Sequence, residues 1–366
     1  MLQPHDPPAD QARHQPAPDG LYFRKFGHAR RPCTVQSMKW QQRALNVLRP
    51  ALTMLVIGLS LMEALSWLAT RHWSFELLTH FHVYFLLAGA ALALVALGLR
   101  QGWTAGLSSL VAAASFSVVW PHMHLPATDL QPQPGPVVRL LWANLHHLNT
   151  DLDALRRLVE TEKPDIAVFT ELDPVHDAVL REMARLLPFQ SPPPRSNVFG
   201  VMLLARKPPE SLKFDLTMGD YAPLMVARLC PVESGCLTLL SLHAWRPGPP
   251  WTGARDRQLA HAASVARRHV DAGERVVLVG DLNLTPFSPM FDRLIAQSGL
   301  WDTNILPAER PRTTPSIATW RLANTGIGLP IDHALVSAGI GIVSRRVGPD
   351  IGSDHHPLIL DLKIAP

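Results

Sequence analysis

The sequence is poor in cysteine and in charge for its length. Three cysteines in 366 residues exclude a fold held together by a network of disulfides, and no CxxC or Cys/His spacing indicates structural zinc. Charged residues make up 17% of the chain and hydrophobic residues 47%, a balance that predicts a concentrated apolar segment. The net charge of +4 is too small to require a nucleic-acid partner.

Acidic residues are absent between Leu21 and Pro50, where basic residues are frequent. The basic side chains of this segment are Arg24, Lys25, Arg30, Arg31, Lys39, Arg43 and Arg49. They lie directly before the first long apolar run, which is typical of charges that stay on the cytoplasmic side of a membrane; a basic tail for nucleic acid or lipid headgroups is the alternative. Because the preceding residues are rich in proline and polar side chains, residues 1–48 are predicted to be a disordered basic tail. Translation could begin at Met1 or at Met38, and the sequence leaves both open.

Three apolar runs follow this tail. They cover residues 51–70, about 77–99 and about 105–120, and about 20 residues at about 1.5 Å each are enough to cross a bilayer core. We therefore predict about three transmembrane helices in residues 49–121, with the lipid bilayer as a partner and no obligate protein partner. Three crossings from a cytoplasmic tail place the rest of the chain outside an inner (plasma) membrane, in the periplasm or the extracellular space; two crossings would return it to the cytoplasm.

A proline-rich linker at residues 122–136 is predicted to precede a domain at residues 137–366. Short apolar runs of strand type alternate there with two amphipathic helices, one capped by Thr150 and the other at about residues 254–271. This mixture predicts an α+β fold in which two sheets pack together with helices outside. Cys230 and Cys236 flank a turn between two strands, so they form either a disulfide, as in an oxidising compartment, or two unpaired thiols.

Polar side chains follow many of these strands at the point where each apolar run ends. If the strand ends share one rim of the sandwich, carboxylates, imidazoles and amides meet there, which suits a hard cation and a phosphate. Taken alone, each residue could be a turn former, a strand cap or a buried histidine, and only their joint order favours a site. The residues are Asn144, Glu171, His243, Asp281, Asn283, Asp332, Asp354 and His355.

The order of these segments resembles the endonuclease/exonuclease/phosphatase superfamily, the DNase I-like proteins, in a membrane-anchored bacterial form. The matching segments cover most of residues 137–362 and read WANL, TELD, LSLHAWRP, GDLNLTP, TWRLANTGIGLPIDHALVS and GSDHHPLILDL. The resemblance implies a four-layer α/β sandwich that hydrolyses a phosphodiester or phosphomonoester by attack of an activated water, with Mg²⁺ or Mn²⁺ as cofactor. An endonuclease acting on DNA and a catalytically silent, membrane-tethered binding module are the alternatives.

The resemblance also implies which residues hold the metal. Glu171 is expected to be the principal ligand, with Asn144 beside it and Asp354 at or near the ion. Many members have an acidic residue where this chain has His146, so the family's metal contact at that position does not carry over directly. Nearby histidines could tune the choice of metal, although exposure to solvent is the simpler expectation for them; they are His147, His333 and His356.

The remaining roles concern the phosphate and the water. Asp281 is expected to orient or deprotonate the attacking water, and Asn283 to hold a phosphate oxygen. His355, polarised by Asp332, is expected to contact the phosphate or share the acid–base work, and His243 to contact the scissile phosphate or assist the leaving group. A phosphodiester repels anionic nucleophiles, so a metal and such donors are needed to offset the charge that builds in the transition state.

Arginines and tryptophans near these segments are candidates for substrate contact. Arg246 follows His243 closely and is the candidate substrate-binding residue, since a guanidinium can hold a phosphate. Arg255 and Arg257 could do the same, although Arg255 is expected to be a solvent-exposed charge on a helix. Three tryptophans either line a substrate groove or fill the core: Trp245, Trp251 and Trp320.

Overall fold

The structure is a computed structural model that describes residues 33–123, 135–192, 199–219, 221–232, 235–251, 253–304, 318–323 and 325–364. The chain divides into two compact units, Met1–Leu48 and Arg49–Pro366. In the first unit the described residues, from Cys33 onward, are helical, so the prediction of disorder does not hold for residues 33–48. Gln, Arg, Ala and Leu in that stretch are good helix formers, and the pattern of basic charge gave no information about the backbone.

Four helices precede the sheets. They are α1 (Cys33–Ser66), α2 (Trp73–Thr79), α3 (His82–Gly98) and α4 (Gly102–Val119), followed by a short 3₁₀ helix (Trp120–Met123). Among the described residues, two segments, Trp40–Ser66 and Gly102–His122, are long and apolar enough to cross a membrane. The count rises to three if α2 and α3, which bend by 62° at their junction, form one broken span. Most of the linker predicted at residues 122–136 lies outside the described residues.

Close packing and one satisfied carboxylate hold these helices together. A Cβ added at Gly89 of α3 would lie 2.9 Å from a backbone nitrogen of α4, so glycine is what lets the two helices approach this closely. Glu63 of α1 accepts hydrogen bonds from Trp67 Nε1 at 3.1 Å and from Ser115 Oγ of α4 at 2.7 Å. His82 Nδ1, at the start of α3, lies 3.3 Å from the same carboxylate. The one charge of the first apolar run is therefore paired inside the bundle.

Fourteen strands and four more helices form the rest of the second unit's described part. The strands are β1 (Val137–Asn144), β2 (Ile166–Thr170), β3 (Phe189–Gln190), β4 (Val201–Ala205), β5 (Ser211–Asp215), β6 (Leu224–Val232), β7 (Gly235–Ser241), β8 (Val276–Asp281), β9 (Trp301–Asp302), β10 (Trp320–Arg321), β11 (Gly328–Leu329), β12 (Asp332–Val336), β13 (Ile340–Val347) and β14 (Leu358–Ile364). The helices are α5 (Leu152–Glu162), α6 (Pro174–Glu182), α7 (Ala254–Asp271) and α8 (Pro289–Ser298), and a 3₁₀ helix (Met183–Arg185) follows α6. The strand orders are β13-β14-β1-β2-β4-β3 and β5-β6-β7-β8-β12-β9 in the two large sheets, and β10 pairs with β11.

The two six-stranded sheets pack face to face, and helices cover both outer faces. An apolar core between the sheets includes Trp142 of β1, Val168 of β2 and Val277 of β8. Helices α5 and α6 pack on the first sheet around Phe169, and α7 and α8 pack on the second sheet around Leu278. This order of helix, sheet, sheet and helix is the four-layer sandwich that the resemblance implied, so the predicted fold is confirmed.

The helices agree with the prediction in part. Helix α7 begins and ends at residues 254 and 271, as predicted. The predicted cap of α5 is wrong, because Asp151 rather than Thr150 is the N-cap and accepts a hydrogen bond from Ala154 N at 3.0 Å. Helices α6 and α8 are absent from the prediction, although each begins with proline directly after a capping residue, Asp173 or Ser288, which is a recognised start signal.

A disulfide joins Cys230 and Cys236. Strands β6 and β7 are antiparallel, and Leu229 is paired with Leu237 in their register. The two cysteines therefore face each other across the hairpin, with their Cα atoms 4.0 Å apart. Of the two alternatives left by the sequence, the structure contains the bonded pair.

Candidate active site

Strand pairing brings the predicted polar residues to one rim of the sandwich. Strands β1 and β2 are parallel with Asn144 opposite Thr170, so Glu171, which follows Thr170, emerges beside Asn144. In the second sheet β8 and β12 are antiparallel, and Asp281 is the direct partner of Asp332. Asn144 Nδ2 lies 3.4 Å from Asp281 Oδ2, so the strand ends of the two sheets meet at the same place.

A buried network joins the sheets at this rim. Asn144 Nδ2 donates to Glu171 Oε1 at 2.9 Å. His243 Nε2, just after β7, lies 3.7 Å from Glu171 Oε1 and 3.5 Å from Asp281 Oδ2. Burial raises the pKa of Glu171, but His243, Asn144 and His147 more than offset this and hold the pKa below its ordinary value. Glu171 is therefore an anion at neutral pH, as a metal ligand must be.

His355 and two carboxylates form a second buried group. Its Nδ1 lies 3.0 and 2.9 Å from the two oxygens of Asp332, and its Nε2 lies 3.6 Å from Asp281 Oδ2. Burial opposes the charged imidazole, but the charges of Asp332 and Asp281 more than offset this and raise the pKa of His355 to about 10. Burial also raises the pKa of Asp281, to about 8. The group thus holds a proton beside a carboxylate, which is the condition for general acid–base work.

Three residues at the rim have a left-handed backbone, which is uncommon outside glycine. They are His146, with φ of 54°, Glu171, with φ of 58°, and Asn283, with φ of 50°. At Asn283 the conformation is held by hydrogen bonds from its backbone N to Asp281 Oδ1, at 2.9 Å, and from its Nδ2 to a backbone carbonyl after β7, at 2.8 Å. An amide nitrogen carries two hydrogens, so one remains for the phosphate oxygen that Asn283 is predicted to hold.

Arg246 lies exposed on the loop after β7, where a substrate phosphate can reach it.

Asp354 offers a carboxylate oxygen that lacks a donor. Trp320 Nε1 donates to Asp354 Oδ2 at 3.0 Å, whereas Oδ1 is buried and accepts no hydrogen bond from the described residues. Such an atom is costly to bury, and a cation would satisfy it. The ionised Glu171 and the amide of Asn144 offer further oxygen donors at this rim, and oxygen donors are what Mg²⁺ and Mn²⁺ prefer. The three predicted metal residues therefore fit a divalent ion.

The two histidines after β1 lie against these carboxylates. His147 Nδ1 lies 3.3 Å from Glu171 Oε2, and its backbone N donates to the same oxygen at 3.3 Å. His146 Nδ1 lies 3.3 Å from Asp354 Oδ1 and 3.9 Å from Glu171 Oε2. Both rings are partly exposed, yet they border the predicted metal residues instead of only facing solvent.

Three predictions of solvent exposure are wrong. Arg255 is buried. Its Nη2 lies 2.5 Å from Glu76 Oε2 of α2, and its Nη1 donates to the backbone carbonyl of Asn283 at 3.3 Å. His333 and His356 are also buried, and burial lowers the pKa of each imidazole. Their partners are distant in the sequence, so a local pattern could not reveal this burial.

Two further residues of the helical segment contact loops of the site, and the sequence gave no sign of them. His80 Nδ1 lies 3.0 Å from the hydroxyl of Thr285, in the loop after β8 that carries Asn283. Tyr84 OH donates to the carbonyl of Gly328 at 2.9 Å and accepts from its backbone N at 2.7 Å. Gly328 lies in β11, opposite the strand of Trp320. The helices therefore support two of the loops that position site residues.

Two hydroxyl residues also belong to the site. Ser353 Oγ donates to the carbonyl of Asn144 at 2.9 Å and accepts from the backbone N of His355 at 3.0 Å. Thr319 Oγ1 accepts from the backbone N of Asp332 at 3.1 Å. A serine hydroxyl that accepts a hydrogen bond from the backbone N two residues later is a known local pattern. Ser353 could therefore have been found from the sequence, whereas Thr319 could not.

A row of aromatic rings, here called the aromatic wall, extends from His243 to the surface. It consists of Phe199, Tyr221, Trp245 and Trp251. The ring of Phe199 lies 4.8 Å from that of His243 and 4.3 Å from that of Trp245, and Trp245 stacks on Trp251 at 4.1 Å. Tyr221 is 58% exposed and Trp251 46%, so the outer part of the wall is accessible to an apolar or aromatic group.

Comparisons with known proteins agree with this architecture. The model of the endonuclease/exonuclease/phosphatase family matches residues 141–355, and no curated protein shows a significant match. A TDP2 structure from Caenorhabditis elegans is 18% identical, covers 77% of this chain and 92% of its own, and has a TM-score of 0.52. A humanized D. rerio TDP2 is 17% identical and covers 62% and 99%, with a TM-score of 0.50. The human Nocturnin catalytic domain with bound sulfate is 17% identical and covers 64% and 96%, with a TM-score of 0.50. At these identities the solved structures show the fold alone.

Proposed function

Since the chain belongs to the endonuclease/exonuclease/phosphatase family of phosphoester hydrolases, we propose that it is a membrane-tethered enzyme that cleaves a phosphodiester or phosphomonoester with a divalent metal ion. The observation that supports this most strongly is the meeting, at one rim, of the ionised Glu171, the buried Asp281 and the His355–Asp332 pair. The residues proposed as metal ligands and as acid–base groups are close enough together there to act on one phosphate.

The metal would be held by Glu171, Asn144 and Asp354. When bound, Mg²⁺ or Mn²⁺ would supply positive charge that offsets the negative charge on the phosphate oxygens. The carboxylate of Glu171 is already ionised and oriented by Asn144, so the site needs little rearrangement to accept a cation.

The chain's own residues would move the protons. Asp281 Oδ2 lies within 3.4–3.6 Å of Asn144, His243 and His355, so a water beside this oxygen would be oriented by Asp281, which can take the water's proton once its own carboxyl group is ionised. His355 would stabilise charge on the phosphate, with Asp332 fixing its ring through Nδ1. His243 would assist the leaving group.

The test uses the full chain purified in detergent. We expect turnover of a phosphoester panel with Mg²⁺ or Mn²⁺, loss of turnover in EDTA, and recovery when metal is restored. Asp281→Asn and His355→Gln should each lower kcat by about 10²–10⁴-fold, the usual contribution of a general acid or base. Asp153→Asn is the matched control, because that carboxylate is exposed on α5. Undiminished kcat in both site variants would refute the assignment.

We further propose that the helices anchor the enzyme in the inner (plasma) membrane, with the catalytic domain in the periplasm or outside the cell. The basic residues before α1's apolar part favour a cytoplasmic N-terminus, and the Cys230–Cys236 disulfide favours an oxidising compartment for the sandwich. C-terminal fusions to alkaline phosphatase and to green fluorescent protein, expressed in a bacterial host, separate the topologies. Active phosphatase without fluorescence is expected, and the reverse pattern would place the domain in the cytoplasm.

The aromatic wall favours a substrate with an apolar part that resides in the bilayer. Its outer member, Trp251, borders a cavity of about 230 Å³ that is also lined by Trp73, by residues between α1 and α2, and by charged side chains such as Arg71 and Arg293. The wall therefore runs from His243 to the end of the candidate spans, as a lipid chain bound by its phosphate would need. Beyond residue 137 the sequence has scattered arginines rather than the extended basic surface that a nucleic-acid backbone requires.

Substrate class is tested by comparing phospholipids in mixed micelles with single- and double-stranded DNA. We expect the lipid phosphoester to be cleaved and Trp251→Ala to raise KM for it while leaving kcat for a short, water-soluble phosphodiester unchanged. Trp301→Ala, at another exposed tryptophan, is the control. Efficient cleavage of DNA with no cleavage of lipid would instead favour the endonuclease alternative.

A further inference from the structure

The two histidines that follow β1 introduce nitrogen donors at the predicted metal site. His146 replaces an acidic residue that the family resemblance would place there, and His147 comes next in the chain. A hydrogen bond from the backbone N of His146 to Asn144 Oδ1, at 2.9 Å, together with the left-handed φ of 54°, turns the chain back over the rim. The turn brings both rings to the carboxylates instead of carrying them into solvent.

The distances between these donors agree with a common ion. Adjacent ligands of an octahedral ion with bonds of about 2.1 Å are about 3 Å apart, and opposite ligands are about 4.2 Å apart. His147 Nδ1 lies 3.3 Å from Glu171 Oε2, and His146 Nδ1 lies 3.3 Å from Asp354 Oδ1 and 3.9 Å from Glu171 Oε2. One donor atom from each of His146, His147 and Glu171 can be chosen so that all lie within 4.8 Å of one another. Asp354 is linked to this group through the 3.3 Å contact between its Oδ1 and His146 Nδ1.

The buried oxygen of Asp354 adds an independent observation. Its Oδ1 accepts no hydrogen bond from the described residues, although the imidazole of His146 is near. An imidazole N–H directed at this oxygen would satisfy it, and the contact does not form such a hydrogen bond. The arrangement instead suits a nitrogen lone pair and a carboxylate oxygen that both face a positively charged group.

Ligand type then decides between ions. Mg²⁺ prefers an all-oxygen octahedron that includes several waters, whereas imidazole nitrogen favours first-row transition-metal ions. We propose that His146 and His147 are metal ligands together with Glu171 and Asp354, and that the site selects a first-row transition-metal dication over Mg²⁺. This rests on the proposed function only in its location, because it concerns how the cation is held and not what is hydrolysed.

The test uses the full chain in detergent, stripped with EDTA and titrated with Mn²⁺. Continuous-wave electron paramagnetic resonance measures free Mn²⁺ and so gives the Kd, and pulsed measurements detect ¹⁴N coupled to the bound ion. We expect clear ¹⁴N modulation in the wild type. The His146→Asn/His147→Gln double variant should lose it and bind Mn²⁺ at least about 10-fold more weakly.

Two further variants sharpen the result. His269→Gln is the matched control, since His269 also lies beside a carboxylate, with its Nδ1 3.1 Å from Glu274 Oε2, far from the rim in the sequence. It should leave both the modulation and the Kd unchanged. His146→Asp restores a carboxylate at the first position and should shift the competition between Mn²⁺ and Mg²⁺ toward Mg²⁺.

The outcomes separate this inference from the proposed function. Absence of stoichiometric Mn²⁺ binding, or of ¹⁴N modulation in the wild type, overturns the inference even if Mg²⁺ supports full phosphoesterase activity. Modulation that persists in the double variant also overturns it, because the nitrogen would then come from another residue such as His243. Nitrogen ligation without hydrolysis of any phosphoester would support the inference while refuting the proposed function.

Discussion

The buried ion pair between Glu76 and Arg255 predicts that the helices and the sandwich stabilise each other. The side chains of Glu76 and Arg255 are only 4% and 3% exposed, and Arg255 Nη2 lies 2.5 Å from Glu76 Oε2. Ser288, the N-cap of α8, donates to Glu76 Oε1 at 2.7 Å. Burial lowers the pKa of Arg255, but Glu76 and Asp256 more than offset this and hold it above its ordinary value. A guanidinium keeps its proton in proteins at neutral pH, so Arg255 stays charged when Glu76 is removed.

The size of the effect follows from that charge. Removing one partner of a buried pair costs about 3–5 kcal/mol, whereas replacing both by apolar residues is often neutral. Asp256 Oδ1 also contacts Arg255 Nη2, at 2.7 Å, and would still partly neutralise the charge of Arg255. We therefore expect Glu76→Ala to lower the free energy of unfolding by about 3 kcal/mol, the lower end of this range. The double variant Glu76→Leu/Arg255→Met should lose less than about 1 kcal/mol.

The assay is urea unfolding of the full chain in detergent, followed by tryptophan fluorescence, with kcat measured on the same samples. Arg255 Nη1 donates to the carbonyl of Asn283, so Glu76→Ala should also lower kcat when folding is complete. Glu210→Ala is the control, because Glu210 pairs with Arg228 at the surface and such pairs contribute little. If the single and double variants lose the same stability, or if Glu76→Ala loses none, the pair does not couple the helices to the sandwich.

Three further predictions concern the site and its surroundings. The pKa of His355 is raised to about 10. The stability that its charged form contributes is therefore fully present below about pH 6.5, the pKa of the unfolded state, and is lost as pH rises toward 10. In urea unfolding of metal-free protein, the free energy of unfolding should fall more steeply over this window in the wild type than in Asp332→Asn. A Cβ at Gly280 would lie 1.9 Å from the carbonyl oxygen of Leu242, so Gly280→Ala should destabilise the fold by about 3 kcal/mol or more. A melting temperature equal to that of the wild type would contradict the close approach of β8 to the chain after β7. Tyr84→Phe removes both hydrogen bonds to Gly328 and should cost about 1–3 kcal/mol, measured by urea unfolding with Tyr221→Phe, at a tyrosine that is 58% exposed, as the control.

Much of the sandwich could be predicted because its signals are local. Apolar runs ending in polar residues marked β1, β2, β7 and β8, and the order of those endings carried the resemblance to the family. Strands β5 and β13 offer no clear apolar run to a reader of the sequence, since β5 is only partly buried and so is much of β13. The N-cap of α5 was misplaced by one residue because Thr150 and Asp151 are both good capping residues.

The parts of the site that sequence reasoning missed depend on contacts between distant residues. The burial of Arg255 requires Glu76, which is 179 positions away, and Tyr84 reaches Gly328 across 244 positions. No local pattern on either side distinguishes these residues from surface residues. Likewise, the proximity of His146 and His147 to Glu171 follows from a left-handed turn at residue 146, which the sequence HH does not predict.

Side chains from several strands are proposed to hold one cation and to cleave a phosphoester together. The most direct measurement is the metal dependence of turnover in the full chain, wild type and Glu171→Gln, after removal of metal with EDTA. The wild type should recover on adding Mn²⁺ or Mg²⁺, whereas Glu171→Gln should need about 100-fold more metal or remain inactive, because an ionised ligand has become a neutral one. Identical recovery curves for the two proteins would contradict the claim.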